Sequence, residues 1–258
     1  MIIYGINPVL EALRARRVRS LRVSSRADRR LQDVLRLAAA AGVSVQHVPP
    51  ADLERISRGG LHQGVAADVE PRPDCDVPDL LQTTAGRAPL IVVLDGVEDP
   101  HNFGAILRVA DAAGADGVIR QTRHAASADG VAAKASAGAI AHVRVASVVN
   151  IARAIDELKA ANVWAVGLTG DAAEAYSDLD LTLPTAIVLG AEGSGLRRLV
   201  RETCDRTASI PMLGHVSSLN VSVAAGIVLF EAVRQRRALA AGQAGGRRAA
   251  EGAVREDS

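Results

Sequence analysis

Three short stretches of this chain carry residue types able to grip and orient a polar substrate. The first runs from Leu94 to Arg108 and ends Asp-Pro-His-Asn-Phe-Gly-Ala-Ile-Leu-Arg, with an amide at Asn102 and a guanidinium at Arg108. The second, Ile187 to Leu196, reads Ile-Val-Leu-Gly-Ala-Glu-Gly-Ser-Gly-Leu and sets Glu192 among glycines that allow close backbone approach to a ligand. The third, Ile210 to Ala224, places Ser217, Ser218 and Asn220 just ahead of an apolar run.

Each stretch has a plain structural reading. Asn102 is expected at a helix start, where its side chain can cap free backbone donors, and a serine at 217 or 218 can do the same for the next helix. Glu192 can favour a helix N-terminus electrostatically. A lone Arg108 suits a surface ion pair, or bidentate binding of phosphate, better than the part of a free base near neutral pH. What these readings leave unexplained is the set: three loops, each after a strand, each supplying an amide, carboxylate or hydroxyl to one small polar pocket.

Other chemistries fit less well. His101 with Asp95, Glu98 and Asp99 would suit a metal-dependent hydrolase, but no second carboxylate cluster supports it, so no metal is expected. Gly190, Gly193 and Gly195 have the wrong spacing for G-x-G-x-x-G, and no G-x-x-x-x-G-K-[ST] occurs. Cys75 and Cys204, the only cysteines, lie in no C-x-x-C pair and read as inert reduced thiols.

The elements that must position these loops follow an α/β pattern. Strands are expected at Leu90–Leu94, Gly117–Ile119, Val163–Leu168, Thr185–Leu189 and Ala208–Pro211, with helices between, one of them starting at Asn102. Such alternation implies a mostly parallel sheet covered on both faces. Val221–Val233 is apolar almost all round and predicts a buried helix, packed within the monomer or against a second subunit.

Four of the ten prolines fall between Glu70 and Pro89, which marks a linker. The chain therefore divides into a domain at 1–72, a linker at 73–89, a second domain at 90–236 and a tail at 237–258 whose Gly-rich, charged composition suggests disorder. In the first domain, helices about Asn7–Arg16, Asp28–Ala41 and Ala51–Ser57 alternate with strands at Leu21–Ser24, Val43–Val48 and Gly64–Val69.

The net charge of +1 hides a local field. Residues 1–60 hold 11 arginines and no lysine against 5 acids, a balance of +6 that suits an RNA-facing surface, although arginine can equally be solvated helix surface. No stretch reaches the roughly 18 apolar residues of a membrane span, and the start lacks the order of a secretory signal, so a cytoplasmic protein is expected.

The motifs N-x-G-x-x-x-R at 102–108, L-G-A-E-G-S-G-L at 189–196 and I-P-M…S-S-L-N-V-S-V-A at 210–224 resemble, in order and spacing, those of the SpoU (TrmH-like) family of the SPOUT RNA methyltransferases. Tyr4-Gly-Ile-Asn-Pro-Val-Leu-Glu-Ala-Leu13 and His62-Gln-Gly-Val65 are similar to the substrate-binding domain of its 23S rRNA guanosine 2′-O-methyltransferase members.

The resemblance implies an α/β fold with a trefoil-knotted, parallel-sheet methyltransferase domain behind a small RNA-binding module like those of ribosomal proteins. It implies a homodimer, S-adenosyl-L-methionine as cofactor and 23S ribosomal RNA as partner, modified at a guanosine ribose of the peptidyl-transferase P loop. By motif, Arg108, Asn102, Glu192, Ser218 and Asn220 would be catalytic, and Gly190, Ile210 and Leu219 would contact the cofactor. Methylation of transfer RNA or another ribosomal site, and a catalytically silent RNA-binding assembly factor, stay open as alternatives.

Overall fold

A computed structural model describes residues 1–25, 29–70, 75–82, 86–122 and 130–256. Two sheets organise them. The first is built from β1 (Ile2–Tyr4), β2 (Val18–Ser24), β3 (Ser44–Val48) and β4 (Val65–Val69) in the order β1-β4-β2-β3, with β2 and β3 parallel and the other pairs antiparallel. Helices α1 (Ile6–Arg14) and α2 (Gln32–Ala40) bury Val9, Leu13, Val34 and Ala38 against Leu21, Val23, Val65 and Ala67. Helix α3 (Pro50–Ser57) covers a second, smaller cluster through Leu53, beside Tyr4 and Ala66.

The second sheet is entirely parallel. Its strands are β5 (Leu90–Asp95), β6 (Gly117–Gln121), β7 (Val145–Val148), β8 (Trp164–Leu168), β9 (Thr185–Gly190) and β10 (Arg206–Ala208), ordered β10-β8-β9-β5-β6-β7. The unbroken apolar run Leu90-Ile-Val-Val-Leu94 is what a central parallel strand needs, because both of its faces are covered. Leu90, Val92 and Leu94 point to the side holding α5 (Pro100–Ala112) and α9 (Val221–Glu256). Ile91 and Val93 point to the side holding α7 (Ile151–Ala160) and α8 (Arg198–Thr203). The chain leaves β5 towards β6 and β7, then returns to build the other half of the sheet. The crevice at the carboxyl ends of β5 and β9 is thus a topological switch point, where open α/β sheets bind ligands.

Several details differ from the sequence reading. Strands β1 and β7 are short and were not expected; neither has enough alternating apolar residues to stand out. Strand β10 ends at Ala208, earlier than expected, as a three-residue edge strand. Helix α5 begins at Pro100 and is capped by Asp99, whose carboxylate accepts from the amides of His101 and Asn102 at 3.1 and 3.2 Å. Asn102 is therefore free of the capping duty assigned to it.

Within the expected linker, Val77–Gln82 forms α4 and buries Val77 and Leu80 under the second sheet. Pro78 is tolerated there because the first helical turn has no use for its missing N–H. Pro71, Pro73 and residues 83–85 lie outside the described residues, as do 257–258 of the tail. From 237 the backbone continues as helix to Glu256, where an unstructured tail was expected. The many alanines and arginines there are strong helix formers.

Helix α9 is tied to the sheet's lower edge by Arg236, which donates to the carbonyls of Ala88, Pro89, Leu181 and Leu183 at 2.7–2.9 Å. The two sheets meet at the 3-10 turn Ala139–Ala141. Ile140 packs against both cores, and His142 Nε2 lies 2.9 Å from the Glu11 carboxylate of α1. Among the described residues no helix is long and apolar enough to cross a membrane.

Candidate active site

Strand β5 delivers Asp95 and strand β9 delivers Gly190 as direct partners at the carboxyl edge of the sheet. Asp95 is buried and binds Arg197 through its backbone N–H at 2.8 Å and its Nε at 2.7 Å. This pair fastens the loop between β9 and α8 across the end of β5. The loop closes on itself through two backbone bonds between Ala191 and Gly195, with Gly193 at φ +81, a left-handed conformation that favours glycine. Gly190 is required for another reason: a Cβ there would lie 2.1 Å from the Gly195 carbonyl carbon and 2.3 Å from the Leu196 nitrogen.

The loop overhangs a cavity of about 680 Å³. Leu168, Leu189, Ala208, Ile210, Leu219, Val221 and Ala224 give it an apolar floor, and Glu192, Ser217, Ser218 and Asn220 give it a polar mouth. The wall at the end of β8 is made by Thr169, Gly170 and Asp171, with Arg201 from α8 bonded to Asp171 at 2.9 Å. The hydrogen bond from Arg201, the largest cause, holds the Asp171 carboxyl below its ordinary value.

Asn220 organises the mouth. Its Oδ1 accepts from Ser222 N and Oγ at 2.9 and 2.6 Å, which caps the start of α9. Because a backbone N–H can only donate, this fixes which end of the amide is oxygen. The Nδ2 then spends both hydrogens on the site, one on Glu192 Oε1 at 2.7 Å and one on Asn102 Oδ1 at 2.9 Å. A single amide thus joins all three motif loops.

Of the eight residues expected here, Gly190, Glu192, Ile210, Ser218, Leu219 and Asn220 line the cavity, and Asn102 joins them through Asn220. Arg108 does not. It lies further along α5, exposed, outside the cavity lining. Glu192 sits in the tight turn rather than in the first turn of α8, so the helix-terminus reading of it does not hold. Asp95, Thr169, Asp171 and Arg201 were not singled out for the pocket, although their places at or beside the ends of β5 and β8 are where a parallel sheet presents ligand groups.

Cys204 is no nucleophile, since burial pushes its thiol up to about 12. Among the described residues no group of three or more His, Cys, Asp or Glu could hold a metal ion.

Residues 89–230 match the model of the SpoU rRNA Methylase family, and residues 2–74 match that of the RNA 2′-O ribose methyltransferase substrate-binding domain. The chain is 46% identical to a 23S rRNA (guanosine-2′-O-)-methyltransferase, RlmB, of Yersinia pestis, over 91% of its own length and 97% of that protein's. It is 44% identical to the RlmB of Haemophilus influenzae, over 91% and 96%. Among solved structures, the SpoU methyltransferase AviRb from Streptomyces viridochromogenes in complex with the cofactor AdoMet superposes with a TM-score of 0.77 at 29% identity, covering 92% of this chain and 91% of that one.

Proposed function

The chain belongs to the SpoU rRNA methylase family, and we propose that it transfers a methyl group from S-adenosyl-L-methionine to the 2′-hydroxyl of a guanosine ribose in 23S ribosomal RNA, in the cytoplasm. Identity above 40% to 23S rRNA guanosine methyltransferases over nearly the whole chain supports the substrate. The finer assignment, to the peptidyl-transferase P loop, rests on the likeness of the first domain. The observation that carries the reading is the Glu192–Asn220–Asn102 chain spanning the mouth of the cavity at the switch point.

The cavity suits the cofactor chemically. An apolar floor can take a flat base, glycine backbone lets a ligand approach closely, and the buried Thr169 hydroxyl has no hydrogen-bond partner among the described residues. Gly190, Ile210 and Leu219 would hold the cofactor. When bound, it supplies an electrophilic methyl on a sulfonium.

The chain's own part is positioning, since a fixed approach converts a bimolecular encounter into an effectively unimolecular one. Asn220 fixes Asn102 and Glu192; Ser218, at the mouth, adds a hydroxyl for the substrate ribose. The Arg108 guanidinium makes no hydrogen bond among the described residues, which leaves it available for the ribose hydroxyl or its adjacent phosphate.

The remaining architecture follows the same reading. Residues 1–72 would select the RNA through their arginines, with 73–89 as the connection and 90–236 as the catalytic domain. A trefoil knot in this domain is what membership of the family implies. A homodimer is supported by the exposed apolar side chains Leu213, Val216, Val223 and Phe230 around the mouth and along α9, a face that a second copy would cover.

The test is methyl transfer from labelled S-adenosylmethionine to undermethylated ribosomal RNA, with mapping of the modified ribose. A single 2′-O-methylguanosine in the P loop is expected. Transfer confined to transfer RNA would overturn the substrate, and RNA binding without transfer would overturn the activity.

A further inference from the structure

Among the described residues, the Thr169 hydroxyl is a buried side-chain oxygen with no hydrogen-bond partner. Buried polar groups are nearly always satisfied, because leaving one unpaired costs about 1–3 kcal/mol. This one lines the cavity, immediately after the last residue of β8. It shares that lining with the apolar Leu168, Ala208 and Ile210 and with the polar Glu192, Ser218 and Asn220. Asp171 stands two residues on, and Arg201 takes its Oδ2 at 2.9 Å and fixes the carboxylate on the same wall.

We propose that Thr169 and Asp171 bind the ribose diol of the cofactor's adenosyl group. An adenosyl ligand presents a flat base, then two vicinal hydroxyls, then a charged chain. The cavity lining offers all three counterparts: apolar side chains, a buried hydroxyl with an anchored carboxylate two residues on, and polar side chains at the mouth. A carboxylate at the end of a parallel strand is a good acceptor for ribose hydroxyls, and a threonine hydroxyl can both donate and accept. The inference rests on the cofactor reading above and assigns two residues that the motif resemblance does not.

The experiment uses the full chain and isothermal titration with S-adenosylhomocysteine and its 2′-deoxy and 3′-deoxy adenosyl analogues. T169V keeps the shape and removes the hydroxyl; D171N keeps the shape and removes the charge. T169V is expected to bind S-adenosylhomocysteine about tenfold more weakly, the effect of one lost hydrogen bond, and to show no further loss for the analogue lacking the hydroxyl it contacts. D171N is expected to weaken the same ligand severalfold. The melting temperature of ligand-free T169V should stay level or rise, since no protein hydrogen bond is removed.

Unchanged affinity in T169V, or an equal loss for every analogue, overturns the assignment. So does a lower melting temperature, which would give the hydroxyl a structural duty. If the unaltered protein fails to bind S-adenosylhomocysteine at all, the cofactor reading itself falls, and that outcome is separate from any behaviour of the variants.

Discussion

Replacing Asn220 by Asp tests whether the three-loop junction or the helix cap is what this residue contributes. The side chains are nearly isosteric, and Asp is as good an N-cap as Asn, so the bonds to Ser222 survive. The two donor hydrogens do not. In their place N220D sets a carboxylate oxygen 2.7 Å from Glu192 Oε1 and 2.9 Å from Asn102 Oδ1.

Two hydrogen bonds at about 1 kcal/mol each are lost. Repulsion between two carboxylates at this separation adds on the order of 1–2 kcal/mol even if water screens it fully. N220A loses the cap as well, about 1 kcal/mol, but introduces no repulsion. The expected order is therefore N220D worse than N220A, by up to about 1 kcal/mol in urea unfolding. The gap in methyl transfer should be larger, because a displacement of about 1 Å can cost about a hundredfold in rate. Adding E192Q to N220D should recover part of both losses. If N220D proves as stable and as active as the unaltered protein, and N220A the weaker variant, the amide serves the cap and not the junction, and the account of the site fails.

G190A should fail to fold or lose several kcal/mol, since the added Cβ meets backbone at 2.1 Å and backbone has no rotamer to yield; a soluble variant with an unchanged melting temperature would refute this. D95N keeps one acceptor for Arg197 but removes the charge, and should destabilise by roughly 2 kcal/mol in denaturant titration while loosening the Ala191–Gly195 loop to hydrogen exchange. Arg234 holds the Glu231 carboxyl down to about 2, well below its ordinary value near 4.5. A depressed carboxyl contributes stability that is present above the ordinary value and lost as pH falls from about 4.5 towards 2. E231Q should therefore lower stability near neutrality, where the Arg234 pair is fully formed, and lose that difference from the unaltered protein as pH falls towards 2, which flattens the acid limb of the profile.

The sheet was legible where strands are buried on both faces, as at Leu90–Leu94 and Thr185–Leu189, because continuous apolar runs after a proline-rich stretch have few other uses. Strands β1 and β7 were not, since three or four residues carry no period. The motif loops could be found as chemistry, and six of the eight residues expected from them line one cavity. What the sequence could not assign was the division of labour inside them. Asp99 and Asn102 are both good caps, and only the backbone path decides that Asp99 caps while Asn102 reaches Asn220. Thr169 and Asp171 carry no local signal of their own; their importance comes from a strand end that is recognisable only once β8 is placed beside β9.

Ile140, shared by both cores, and the Glu11–His142 contact beside it give the first sheet a fixed mount on the second. Such a mount turns recognition into measurement. On the proposed reading, an RNA held by the arginine-rich module would offer the pocket only those nucleotides that lie a set span from the grip, and the protein would work as a ruler as well as a catalyst. Lengthening the connection at 73–89 would not move the graduation while the mount holds; loosening the turn at 139–142 would.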